Sequence, residues 1–508
     1  MFRAEETSGQ VPGAPVERDA IVAARNSAIM VASLLASGGV GFAARLIIPR
    51  HLGPAMFGAF QFADYFSGSF FVLSVLGFDT YIRKEVSVRK SHANEFFGGL
   101  LALRAIASAI ALVAMIAVFT VSGKPLYVRQ LLLVFAANQI LVILNNSYAT
   151  LLNAVSSVGR LSVLNVAVKI MWAGMIIAVA AYGGGAVAFA GVLVLSEAVK
   201  AVGSTWLVRR ELALDFRVNT AATRASLIAS LPYLVVSLTG TLYANADVIL
   251  MSFRTTDVEV GWYGAATSLL GISLFLAPII HNVFLPTISR AAARSSQDLA
   301  VISRRSLQLL VTLMTPGALF GAVAAEFVVH LLFGASFAPA ASSVRLLCPV
   351  ILLVYVSILP ALVLTQLNRG WTVTWLSTAL LVLNFAMNWF AIPYGQRQWG
   401  PGGAGTAASL VWLFCEALNV AIFLYLAADC FFDRRTVMVL AKTGIACVVV
   451  VLLRATLPMS GLTLIVEIAI YLAIVIATGA FDVREAVDFT SQLVRSRREP
   501  TGSFSGES

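Results

Sequence analysis

Three acidic residues, Asp64, Asp247 and Glu416, interrupt stretches of sequence that are otherwise apolar. A carboxylate held away from water can exchange a proton or hold a cation, so these three are the candidates for proton or sodium coupling. Glu197 joins them, three residues ahead of Lys200. That spacing turns both side chains to one face of a helix, where they can simply neutralise each other. Four cations, Arg45, Arg104, Lys169 and Lys200, lie in similar surroundings and can offset negative charge on a cargo. Their plainer reading is a long side chain reaching back to a polar interface. Asn145, Asn384 and Asn388, with Asn146 and Asn245, can line a hydrophilic cavity and bond hydroxyl groups. Hydrogen bonding between helices is the plainer alternative for any one of them.

The elements that position these residues are unusual in bulk. Of 508 residues, 59% are hydrophobic and 12% are charged. A soluble core cannot absorb so much apolar surface, because a globular domain needs polar residues to cover itself. About fourteen apolar stretches lie between Asn26 and Ala480, each near the roughly 20 residues that one helical crossing of a bilayer needs. The expected fold is an all-α polytopic membrane protein. The first 25 residues are polar and carry Arg3, Arg18 and Arg25. The apolar run after them, 27–48, is too long for the core of a cleavable signal, so it is expected to remain as the first crossing.

Lysine and arginine orient the chain. With the N-terminus inside, 23 of the 35 basic residues fall on the inner side and seven on the outer side. Positive charge collects in cytoplasmic loops of membrane proteins. The formal net charge of +10 is therefore read as loop charge, with no nucleic-acid partner implied. An even number of crossings leaves both termini in the cytoplasm. The stretch 79–96 can form a basic surface helix held by inner-leaflet lipids.

Two segments repeat. MFGAFQFADYFSGSFFVLSVLGFDTYIRK begins at Met56, and VGWYGAATSLLGISLFLAPIIHNVFLPTISR begins at Val260. Each opens with an apolar residue and glycine, runs through one crossing and ends in a basic loop. Gly58 and Gly261, 203 residues apart, are equivalent in this alignment. They fall on the second and eighth crossings, which run in the same direction. That predicts two parallel six-helix lobes around a central cavity, with two further C-terminal helices. The expected units are an N-tail (1–26), an N-lobe (27–226), a C-lobe (227–427), helices 13 and 14 (428–480) and a C-tail (481–508).

Enzymatic chemistry finds no support. Four cysteines are scattered without a CxxC pair, and no two of the four histidines stand at metal-ligand spacing. The chain has no nucleotide-binding Walker segment and no nucleophile–base set. Neither a cofactor nor a metal is expected.

Several segments resemble the polysaccharide flippase branch of the superfamily that also contains multidrug and toxin extrusion transporters. ARLIIPRHLGPAMFGAFQFADYF from Ala44 is similar to that family's turn from first to second helix. LPYLVVSLTGTLYANADVILMSFRTTDVEVGWYGAAT from Leu231 is similar to its seventh helix, and FGASFAPAASSVRLL from Phe333 to its ninth-to-tenth connection. LVLNFAMNWFAIPYG and GPGGAGTAASLVW, within Leu381–Trp412, resemble its eleventh and twelfth helices. The chain departs from the family before the Leu-Gly near the end of the second helix. Val75 stands where many members carry an acid, and Asp79 follows about one turn later.

The resemblance implies a flippase that carries polyprenyl-pyrophosphate-linked oligosaccharide across the bacterial cytoplasmic membrane by alternating access, for cell-surface polysaccharide. It implies membrane lipids, a polysaccharide polymerase and glycosyltransferases as partners, and H+ or Na+ as a coupling ion. In that setting Arg45, Arg104, Lys169 and Lys200 would meet pyrophosphate. Alternatives of the same fold are an ion-coupled multidrug exporter and a lipid II flippase. A scaffold for glycosyltransferases would need no buried charge.

Overall fold

The computed structural model describes residues 14–79, 82, 93–121, 123, 125–154, 158–212, 219–456 and 461–479. The C-tail, the first half of the N-tail and most of the basic stretch 79–96 lie outside them. Among the described residues all regular structure is helical.

The first element, α1 (Ala14–Phe71), is two helices joined at Gly53, whose φ of 70° breaks the winding. Glycine takes that conformation without steric cost. Pro54 then starts the second arm, where its missing N–H is not needed. Four helices complete the N-lobe: α2 (Ala93–Val121), α3 (Leu126–Ala154), α4 (Val158–Ala181) and α5 (Ala186–Leu212). The C-lobe opens with α6 (Thr220–Arg254), followed by α7 (Asp257–Ser273) and α8 (Ala277–Arg294), which form one crossing interrupted by a 3-10 turn at Leu274–Leu276. Then come α9 (Ser296–Val323), the short α10 (Ala325–Phe333), α11 (Ala340–Gln366), α12 (Gly370–Trp399) and α13 (Gly403–Leu426). A single turn, α14 (Ala428–Phe431), leads to the appended pair α15 (Arg434–Thr456) and α16 (Gly461–Ala477).

Eleven helices among the described residues are long and apolar enough to cross a membrane. The other three expected crossings fall on the two arms of α1 and on α16, whose 17 residues are short for a full span. The outer surface is apolar, as a lipid-facing surface must be. Ile106, Ile110, Val113, Trp371, Trp375 and Phe390 all stand exposed.

The repeat is visible in the packing. The second arm of α1 and α7 cross so closely that a β-carbon on Gly58 would lie 1.8 Å from the carbonyl oxygen of Asp257. A β-carbon on Gly261 would lie 1.9 Å from the carbonyl oxygen of Pro54. The two contacts are the same contact seen from each side, because Asp257 is four residues before Gly261 as Pro54 is before Gly58. A self-complementary interface of this kind is what a two-fold relation produces. Small residues at such crossings are a general device of membrane helices, where close packing replaces the hydrophobic effect. Both helices also change winding at matching places. The second arm of α1 passes into a 3-10 turn at Val72–Val75, and α7 does so at Leu274–Leu276. Around the crossing lies the largest buried cluster, in which Phe60 meets Phe135 edge-on at 4.9 Å and Phe57 meets Phe337 at 6.1 Å.

Candidate functional site

A polar cavity of about 510 Å³ opens in the N-lobe. Each wall has a local origin. The turn at Gly53 folds the second arm of α1 back, so that Arg45 on the first arm and Gln61, Asp64 and Tyr65 on the second face one space. The short turn at Gly183–Gly185 returns α5 alongside α4, so that Asn165, Lys169 and Trp172 on one helix stand with Ser196, Glu197 and Lys200 on the other. Asn138 enters from α3, and Thr267, Ser268 and Gly271 enter from α7 of the opposite lobe.

Three cations and two carboxylates thus line one cavity, leaving a formal excess of one positive charge. Arg45 is near enough to Asp64 and Lys169 for their charges to interact, and Lys169 likewise interacts with Glu197 and Lys200. The Lys169 ammonium also sits over the Trp172 ring, 4.7 Å from its centre. Glu197 turns to Asn145, whose amide donates to its carboxylate at 2.7 Å and to its backbone carbonyl at 2.9 Å. Among the described residues no ion pair joins Glu197 to Lys200, so the neutralising pair expected from their spacing is replaced by a link to α3.

Other expected site residues stand elsewhere. Arg104 is buried away from the cavity. It pairs with Asp79 at 2.9 Å and donates to the carbonyl of Val75 at 2.7 Å and to Ser147. The guanidinium therefore ties α2 to the end of the second crossing and to α3. That pair explains Asp79, the acid found one turn past the family's position. Asp247 is buried between α6 and α7, taking bonds from the Tyr263 hydroxyl and, at 2.9 Å, from the Val248 amide. Asn384 and Asn388 are buried and bond each other at 3.1 Å. Asn245 bridges the lobes through Ser69 at 3.1 Å.

Glu416 lines a second cavity, of about 320 Å³, in the C-lobe. Asn419 donates to it at 3.2 Å, and Tyr243, Thr239, Thr374 and Ser377 share the walls. No cation lines this cavity among the described residues. These two cavities are therefore unlike in charge: basic excess in one, a lone acid in the other.

The seal between the lobes lies beside the glycine crossing. Gln61 donates to the carbonyl of Gly264 at 3.2 Å and to Ser268 at 3.3 Å. Tyr127 of α3 donates to Asp257 at 3.0 Å, and Arg50 donates to the carbonyl of Leu331. Within the C-lobe, Glu259 accepts the backbone amides of Gly402 and Ala404 at 2.8 and 3.2 Å, at the start of α13. The helix dipole favours a carboxylate there.

A sequence model described as polysaccharide biosynthesis protein matches residues 23–292, more than half of the chain. The chain belongs to that family. No curated protein sequence matches it significantly. Solved structures supply the fold of this family member. A lipid II flippase, MurJ, in an inward closed conformation superposes with a TM-score of 0.67 at 12% identity, covering 92% of this chain and 99% of its own. An inward-facing multidrug resistance MATE family transporter of the MOP superfamily gives 0.61 at 14% identity, covering 81% and 98%. The MATE transporter VcmN of Vibrio cholerae gives 0.55 at 14% identity, covering 82% and 98%. Identities this low carry the fold, and the fold agrees with the two-lobed helical plan expected from the repeat.

The sequence reading missed Gln61, Tyr65, Asn138, Asn165, Trp172, Thr267 and Ser268. Their signal was register. Gln61 lies three residues before Asp64, Asn165 four before Lys169, and Asn138 seven before Asn145. Each spacing repeats one helix face. Thr267 is the repeat partner of Asp64, 203 residues on.

Proposed function

We propose that this family member moves polyprenyl-pyrophosphate-linked oligosaccharide from the inner to the outer leaflet of the bacterial cytoplasmic membrane, supplying cell-surface polysaccharide synthesis. The observation that carries the reading is the polar N-lobe cavity with its excess positive charge inside a two-lobed membrane fold. A pyrophosphate head is anionic and cannot cross hydrocarbon unaided, whereas a basic, water-accessible cavity spares it that cost. Arg45 offers a planar fork for phosphate oxygens, and Lys169 and Lys200 add point charges. The polyprenyl tail stays in lipid throughout.

Alternating access follows from the parallel lobes, which rock so that the glycine crossing closes in one state and parts in the other, while the N-lobe (27–226) and C-lobe (227–427) each move as a body. The bias of basic residues supports cytoplasmic N- and C-termini. Coupling to H+ or Na+ is assigned to Asp64 in the basic cavity and to Glu416 in the C-lobe cavity; Asp247, held by Tyr263, is a weaker third. Lipid-handling enzymes, a polymerase and glycosyltransferases among them, are the natural partners of such a carrier. The reading is tested by the lipid-linked intermediates of a strain lacking the protein. Glycolipid trapped on the cytoplasmic side with undecorated surfaces is the expected result. Normal surfaces and no trapped lipid would refute it.

The lone acid of the C-lobe cavity specifically favours a second reading, an ion-coupled exporter of cationic drugs. Export of organic cations from vesicles, unaffected by loss of the basic residues, would establish that reading instead.

A further inference from the structure

Two buried polar atoms in the N-lobe cavity wall have no hydrogen-bonding partner in the protein: the Trp172 indole nitrogen, a donor, and the Asn138 side-chain oxygen, an acceptor. Trp172 is 3% exposed and Asn138 8% exposed. Leaving such groups unpaired costs roughly 1–3 kcal/mol each, and native proteins leave few of them unmet. The two sit on different helices, α4 and α3, yet line one cavity. The Lys169 ammonium lies against the Trp172 ring, and Asn145, two turns along α3 from Asn138, is fixed by Glu197.

We propose that Trp172 and Asn138 form a subsite for a sugar hydroxyl, which accepts from the indole N–H and donates to the amide oxygen. The inference rests on the reading of this cavity as the head-group site, and deepens it by naming which part of the cargo is read. A hydroxyl is both donor and acceptor, so it offers what each of the two atoms lacks. Phosphate oxygens do not, because at neutral pH they offer the amide oxygen no proton from their ionised form. The cavity of about 510 Å³ falls within the range of small-ligand sites. It therefore takes the pyrophosphate and the sugar next to it, while the rest of the repeat unit stays outside. Arg45, Lys169 and Lys200 hold charge, and the Trp172–Asn138 pair selects the presence of sugar.

Full-length protein in nanodiscs is titrated with two short-chain polyprenyl pyrophosphates, one bare and one bearing a single hexose. The wild type binds the glycosylated lipid about tenfold more tightly, the effect of one to two net hydrogen bonds. Trp172→Phe keeps the ring and removes the donor, and Asn138→Leu removes the acceptor at similar volume. Each lowers the ratio of the two affinities about fivefold or more, a readout in which any loss common to both lipids cancels, and thermal unfolding shows that the variant is folded. Variants that keep the wild-type preference overturn the subsite, since solvent then satisfies the pair. A wild type that binds both lipids equally overturns it too and leaves the proposed function standing. A wild type that binds neither lipid overturns both.

Discussion

Replacing Gly58 by alanine places a methyl group where the structure has a carbonyl. The new carbon would fall 1.8 Å from the Asp257 oxygen, and real contacts of this kind do not come under 3.0 Å. Both groups are fixed by helical backbone, so neither can rotate away. The second arm of α1 and α7 must part by the difference, about 1.2 Å. Overpacking of this kind costs about 1–3 kcal/mol. The cost falls only on the state in which these two helices touch. In a two-state transporter it therefore shifts the equilibrium toward the form in which the crossing is parted by roughly 5- to 150-fold. Gly261→Ala must do the same, because its carbon meets Pro54 in the mirror contact at 1.9 Å. Gly174→Ala, with nothing within 4 Å, is the control. Spin-label distances between the start of α7 and the start of the second arm of α1 report the populations. Longer distances in both crossing variants, with no change in the control, are expected. Unchanged distances in Gly58→Ala and Gly261→Ala would refute the claim that the crossing is the contact that opens.

Other perturbations separate binding, coupling and structure. Lys169→Gln and Lys200→Gln each lose one charged partner of pyrophosphate and weaken binding of the bare lipid pyrophosphate roughly tenfold, read by titration in nanodiscs. Arg104→Met breaks the buried pair with Asp79. It lowers stability by about 3 kcal/mol, read in thermal unfolding, and leaves lipid affinity at the wild-type value in the folded fraction. Glu259→Gln removes the charge from the bonds to Gly402 and Ala404 and costs about 1 kcal/mol in the same unfolding assay. Asp64→Asn and Glu416→Gln abolish the dependence of vesicle transport on an ion gradient if these acids couple. Full retention of the pH and sodium response in both variants removes them from that role.

Much of the fold was legible because a bilayer leaves helices few choices. Apolar length marked the crossings, and basic residues marked the loops. The match of Gly58 with Gly261 anticipated the lobes, and the structure adds that the two glycines touch. The crossing count was harder to read. The two arms of α1 meet at Gly53 with hardly any loop between them, and α16, with 17 residues, is short for a full crossing. The site was legible in part. Arg45, Asp64, Lys169, Glu197 and Lys200 converge on one cavity, and all but Arg45 sit on a face marked by a polar neighbour one turn away. Arg104 did not join them. Its partner Asp79 lies 25 residues earlier, a separation that no helical period encodes. Glu467 shows the same limit. It has no basic residue one turn away in sequence, yet it is fully buried, 3.9 Å from Arg454.

The most direct measurement is leaflet exchange of a fluorescent polyprenyl-pyrophosphate sugar in vesicles reconstituted with the purified protein. Wild-type vesicles should move the label between leaflets well above the protein-free rate, and the combined variant Arg45→Gln, Lys169→Gln, Lys200→Gln should fall to that background while still folding. Exchange no faster than empty vesicles in the wild type, or equal exchange once the three cations are gone, would contradict a basic cavity as the passage for an anionic lipid head.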